Sequence, residues 1–213
     1  MSLNAIHIRF ALDIKDKYEI KDIKKYISGA IYPDSWFMTE VNKDLTHNYE
    51  KFLSSEFATD DFRKGWQSHD ICDYFYVKKL NELFQDIFLK KDNKYYTEEW
   101  ISLTAIKIIQ DMLILQEFDI QPYLKYLEYI ENHNGEDINI IKKYNQITID
   151  LYKNKKIISV EDYMKWFLDT GNSREIVEKI RIKIKEYLND KKMMKKIEIM
   201  YNEMLNSYKE NYL

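Results

Sequence analysis

In the stretch FRKGWQSHDICD, His69 and Asp73 stand four residues apart. On a helix that spacing projects both side chains from one face, with Cβ atoms about 5 to 6 Å apart. An imidazole nitrogen and a carboxylate oxygen so placed suit one divalent cation. Such an ion takes these donors at about 2.0 to 2.2 Å and needs two further ligands to close a tetrahedron. The irregular segment upstream offers both, Asp34 directly after Pro33, and His47. An H-x-x-x-D pair taken alone is also the pattern of a His-carboxylate salt bridge on a solvated face. His7 lies between isoleucines in AIHIRF, where a core histidine bonded to a backbone carbonyl would read the same way.

Several neighbours admit two readings. Asp70 follows His69 but is rotated about 100° from it on a helix. Asp111 sits among apolar residues in IIQDMLIL, where an unpaired carboxylate is costly, so it reads as a ligand, a support for one, or an exposed group. Gly65 inside a helical pattern costs about 1 kcal/mol relative to Ala, which a close helix crossing would explain. Cys72 reads as a small buried filler, and Trp66, Tyr74, Phe75 and Tyr76 as core and rim aromatics. Lys43, Arg63 and Lys64 flank the proposed ligands and could meet a phosphate, although solvated charge is the simpler reading.

The elements that must position these residues are helical. At roughly 100 to 200 residues per domain, 213 residues predict one helical domain over 1–213. Metal-site residues fall within 5–76, and helical cover and core within 97–213. A 45% hydrophobic, 32% charged composition is that of a globular chain, and 4 Gly with 2 Pro are too few for the turns of an all-β fold. Helical spacing of Ile20, Ile23 and Ile27 predicts a helix stopped by Gly29 and Pro33. Residues 30–58 read as a long irregular connection with only LTHNYEKFL as a short helix. A long helix is predicted from Thr59, another from the Thr97 cap, and another over QPYLKYLEYIENH, ended by Gly135. Further helices follow over INIIKKYNQITIDLYK and behind the Ser159 to Asp162 capping signature, closed by Gly171. The last stretch predicts two antiparallel helices broken near Asn189 and Asp190, with KKMMKK as a solvated turn. The sum is an all-α, irregular bundle of about eight or nine helices.

A net charge of -3 gives no field that would recommend nucleic acid or an anionic membrane as partner. One cysteine cannot form an intrachain disulfide, and no run reaches about 18 apolar residues, so the chain reads as cytoplasmic with no transmembrane segment. Oligomer formation is left open.

Taken in order, HIRFALDI at His7, GAIYPDS at Asp34, LTH at His47 and FRKGWQSHDICD at His69 and Asp73 resemble the zinc-dependent phospholipase C family, more closely its short, non-secreted bacterial relatives. The resemblance spans about residues 5 to 76. It implies a phospholipase C/nuclease-like helical fold in which Asp34, His47, His69 and Asp73 enclose one zinc or other divalent ion. Asp73 would also bridge toward a second ion that takes His7. No histidine lies between His69 and His133 to match the family's later ligands, so a trinuclear centre is not expected. The expected function is a metal-dependent phosphoesterase. Metal-activated water would attack a phosphodiester or phosphomonoester, Asp34 orienting that water, and the substrate would be a small phosphoester or a lipid headgroup. Two alternatives are a non-catalytic helical protein with a structural metal and, because His47, His69-Asp70 and Asp111 resemble the H…HD…D order, an HD-type nucleotide phosphohydrolase.

Overall fold

A computed structural model describes residues 3–52, 54, 56–88 and 96–212. Among them every regular element is helical: α1 (Asn4–Ile14), α2 (Ile23–Ile31), α3 (Trp36–Thr39), α4 (Tyr49–Phe52), α5 (Asp61–Leu83), α6 (Gln85–Phe88), α7 (Glu98–Glu117), α8 (Gln121–Leu124), α9 (Ile138–Tyr152), α10 (Val160–Asp169), α11 (Arg174–Asn189) and α12 (Lys191–Tyr212). These twelve segments exceed the expected eight or nine because α3, α4, α6 and α8 are single turns. Leu53 of LTHNYEKFL and Ser55 lie outside the described residues. None of the described helices is long and apolar enough to cross a membrane.

The frame of the site is the crossing of α2 over α5. Asp60 caps α5 by accepting from the Arg63 N–H, and Asp22 caps α2 by accepting from the Lys24 and Lys25 N–H groups. Asp61 ties the two starts together, its carboxylate accepting from the Lys21 and Asp22 N–H groups at 2.9 and 2.6 Å. At the crossing two glycines face opposite backbones. A Cβ on Gly29 would overlap the Phe62 carbonyl, and one on Gly65 would overlap the Tyr26 carbonyl. Gly65 therefore marks the close crossing its cost suggested. The expected stop is corrected at Gly29 and falls before Pro33: α2 runs through Gly29 to Ile31 and gives way to a 3-10 turn, Tyr32–Ser35, that holds Pro33 and leads into α3. Gly29 is there for proximity, and proline is tolerated in the first turn of a helical segment, where its missing N–H costs nothing.

Later elements supply cover. Buried apolar side chains from α1, α2, α5, α7 and α9 through α12 join one cluster, while Tyr32, Phe52, Phe62, Trp66 and Ile141 form a second beneath the irregular segment. Thr97 caps α7, Ser159 and Asp162 form a reciprocal capping box on α10, and Gly171 adopts φ 100° beyond its end. The helix expected over QPYLKYLEYIENH is shorter. After α8 a 3-10 turn ends at Glu128, and Tyr129 is extended. The break near Asn189 falls at Asp190, whose side chain accepts from the Lys192 and Met193 N–H groups and starts α12.

Candidate metal centre

Two of the three rings in the cluster, His69 and His47, are fixed from the far side by hydrogen bonds. The Nδ1–H of His69, on the face of α5 turned toward α2, donates to the Ala30 carbonyl at 2.8 Å, a contact that only the glycine-mediated crossing permits. His47 follows a short 3-10 turn held in place by the Trp66 indole N–H, which donates to the Thr46 carbonyl at 2.8 Å. The Thr46 hydroxyl donates to the Lys43 carbonyl, so its oxygen is left to accept the His47 Nδ1–H at 2.8 Å. Both imidazoles therefore present a bare Nε2, and these two nitrogens face each other at 3.2 Å. Two lone pairs at that distance repel unless a cation or a proton lies between them.

Two carboxylates complete the arrangement. Asp34, set by the turn after α2, directs Oδ1 toward His47 Nε2 at 3.5 Å and His69 Nε2 at 3.8 Å, and Oδ2 toward His7 Nε2 at 3.7 Å. Asp73 divides its oxygens the same way, with Oδ1 3.5 Å from His7 and Oδ2 3.6 Å from His69 and 3.9 Å from His47. The rings of His7 and His69 stack at 3.7 Å. Asp34 Oδ1 is buried and accepts no hydrogen bond. Thus His7, Asp34, His47, His69 and Asp73 come together, from α1, the turn after α2, the irregular segment and α5. They compose two triads of closely spaced donors, His7 with Asp34 and His69, and His47 with His69 and Asp73.

The donor set fits a divalent ion. Ligands about 2.1 Å from a tetrahedral centre are ~3.4 Å from one another, and the donor separations here run from 3.2 to 3.9 Å. Burial suits the same role. It drives the His47 imidazole down to about 3, and lowers His7 strongly and His69 less, so the rings favour the neutral form that ligates metals. Burial raises Asp34 to about 6. A cleft of 570 Å³ reaches His47 and Asp73 from outside, with Lys43, Lys78, Asp70 and Tyr49 on its walls.

Other candidates separate from this group. Asp111 does not face it: Oδ1 accepts from the Ala5 and Ile6 N–H groups at 3.1 and 3.2 Å, and Oδ2 from the Tyr152 and Tyr163 hydroxyls at 2.8 and 2.6 Å. It caps α1, whose own leading residue Leu3 offers no side-chain cap, and so aims His7. Asp70 and Cys72 join neither donor triad. Lys64 is held by Asp61 at 3.0 Å and Arg63 lies 3.9 Å from Asp60, which leaves Lys43 as the flanking cation on the cleft. His133 accompanies Glu131 and stacks on Phe62 at 5.0 Å. Sequence reasoning passed over Lys78 and Lys107. The available signal for Lys107 was a single lysine inside the apolar run ISLTAIKIIQ.

No protein-family profile, curated protein or solved structure matches the chain.

Proposed function

We propose that this protein is a metal-dependent phosphoesterase related to the zinc-dependent phospholipase C family, with His7, Asp34, His47, His69 and Asp73 as ligands. The observation that carries the reading is the pair of bare Nε2 atoms of His47 and His69, 3.2 Å apart and flanked by two carboxylates. When bound, zinc or another divalent ion supplies Lewis acidity toward water and toward a phosphoryl oxygen. Asp34, with an oxygen that accepts no hydrogen bond, is suited to orient a water and take its proton. Lys43 and Lys78 on the open cleft offer positive charge to an incoming phosphoester.

The test is metal analysis of the purified protein, with hydrolysis of p-nitrophenyl phosphate and bis(p-nitrophenyl) phosphate in the presence of zinc, manganese or iron. Bound metal in stoichiometric amount and turnover that His69→Ala abolishes are expected. A protein that retains no metal and hydrolyses neither ester refutes the reading. A second reading, a purely structural ion, is favoured by the depth of the cluster, in which the His7 and His69 side chains are fully buried. A large drop in melting temperature on chelation, with no hydrolysis under any metal, would select it.

A further inference from the structure

On α7, Lys107 is the single charged side chain between Glu99 and Asp111. Partly buried, it finds no hydrogen-bond or ion-pair partner among the described residues. It lines a small cavity that shares no residue with the open cleft. Phe37, Trp100, Trp166 and Phe167 form its walls, and Asp34 reaches its edge. Asp34, which also lines this space, and Asp73 favour the charged form of Lys107, while both Asp34 oxygens stay directed at the histidines. The cavity measures about 40 Å³. One water needs roughly 10 to 15 Å³ and benzene occupies an apolar cavity of roughly 150 Å³, so a few heavy atoms fit. Aromatic walls make a fully hydrated ion a poor occupant, and an ammonium in the wall makes a purely apolar one poor. A small molecule carrying both an oxyanion and a short alkyl group satisfies both.

We propose that this cavity binds a small organophosphorus anion, an alkyl phosphate or phosphonate, with Lys107 paired to the oxyanion and the short alkyl group against Phe37, Trp100 and Phe167. The inference rests on the phosphoesterase reading and narrows it. The alkyl substituent that this cavity accepts must be short. Long acyl chains have no room here.

Calorimetric titration of the full chain with ethylphosphonate tests this, before and after loading with zinc, alongside the fluorescence of Trp100 and Trp166. Ethylphosphonate should bind to the zinc-loaded protein and change the fluorescence. Lys107→Met should weaken it at least tenfold, Lys107→Arg should restore part of the loss, and Phe167→Ala should admit butylphosphonate, which the native chain excludes. Lys107→Gln replaces Lys107→Met if the latter fails to fold. No binding, or equal binding by wild type and Lys107→Met, overturns the proposal. The two readings fail separately. Lys107-dependent binding in a protein that holds no zinc would retain the cavity and remove the phosphoesterase. Zinc-dependent hydrolysis with ethylphosphonate binding indifferent to Lys107 would do the reverse.

Discussion

At the first turn of α1, Asp111 is surrounded by donors, two backbone N–H groups and two tyrosine hydroxyls, which between them occupy both of its oxygens. Around the next turn of the same helix, at His7, Asp34 and Asp73 are surrounded by imidazole nitrogens, and the rings of His47 and His69 have spent their Nδ1 protons on Thr46 and Ala30. Both centres bury carboxylate, at similar depth. The first is complete as protein, because every lone pair directed inward meets a hydrogen. The second sets the bare Nε2 atoms of His47 and His69 against each other and beside an Asp34 Oδ1 that accepts no hydrogen bond, an arrangement that a cation makes favourable. Burial by itself says little about function, and the identity of the partner groups says much more.

The largest effect should come from Gly65→Ala. Its methyl would meet the Tyr26 backbone, which cannot yield as a flexible side chain would, and the α2–α5 crossing would open. A loss of more than about 4 kcal/mol is expected, read by urea denaturation, with metal binding lost as the Ala30 carbonyl leaves His69. Asp111→Ala should follow. Leaving two N–H groups and two hydroxyls without their acceptor costs about 3 kcal/mol or more, while metal stoichiometry in the folded fraction is kept. Asp111→Asn, which keeps an oxygen for α1, should cost less.

Acid titration of the metal-free protein separates the centres by sign. His7 and His47 bind protons in the unfolded chain below their ordinary 6.5 but resist them when folded, which removes stability as pH falls. Asp34 and Asp111, raised to about 6 by burial, take up protons in the folded state before the unfolded one does, which adds stability as pH falls from 6 toward 4. His69, lowered by the same burial, adds a third imidazole and Asp70, raised well above its ordinary 3.8, a third carboxylate, so the two sets nearly cancel in that window. Stability should therefore stay nearly level to about pH 4 and then fall steeply. Asp111→Asn removes one opposing carboxylate, so the decline should begin near pH 6 at about 1.4 kcal/mol per pH unit. Denaturant unfolding at a series of pH values would show it, and an unchanged onset in the variant would dismiss the assignment.

The smallest effect is expected from Thr46→Val. It preserves shape and removes the oxygen that accepts the His47 Nδ1–H, so zinc affinity should drop about tenfold, as for other groups that orient a ligating ring. Stability of the metal-free chain should fall by only about 1 kcal/mol, the cost of leaving the His47 Nδ1–H without its acceptor. A competition titration against a chelating dye measures the difference.

Much of the donor set was legible because its parts are local. The four-residue spacing of His69 and Asp73 needs only a helix to become a shared face, and Asp34 and His47 stood out as ligand types in a segment of turns. His7 could not be distinguished from a core histidine by its isoleucine neighbours, since the groups opposite it come from α5 and from the turn after α2. Asp111 looked like a candidate ligand for the same reason: its four donors lie on α1, α9 and α10, far away along the chain. Gly29 was read as a stop because glycine ends helices more often than it lets them touch.

From the amino-acid order alone came the helical class, the caps at Thr97 and Ser159, the hinge at Asp190 and the residues able to hold a metal, because propensity, capping and side-chain periodicity act over a few residues. Only the tertiary structure decided which acid faces the histidines and which caps α1, and that Lys107 borders a cavity that Asp34 also lines. It also decided that two glycines bring α2 within reach of His69. Each of these depends on what lies opposite a side chain across a helix crossing, a distance in space that chain order does not encode.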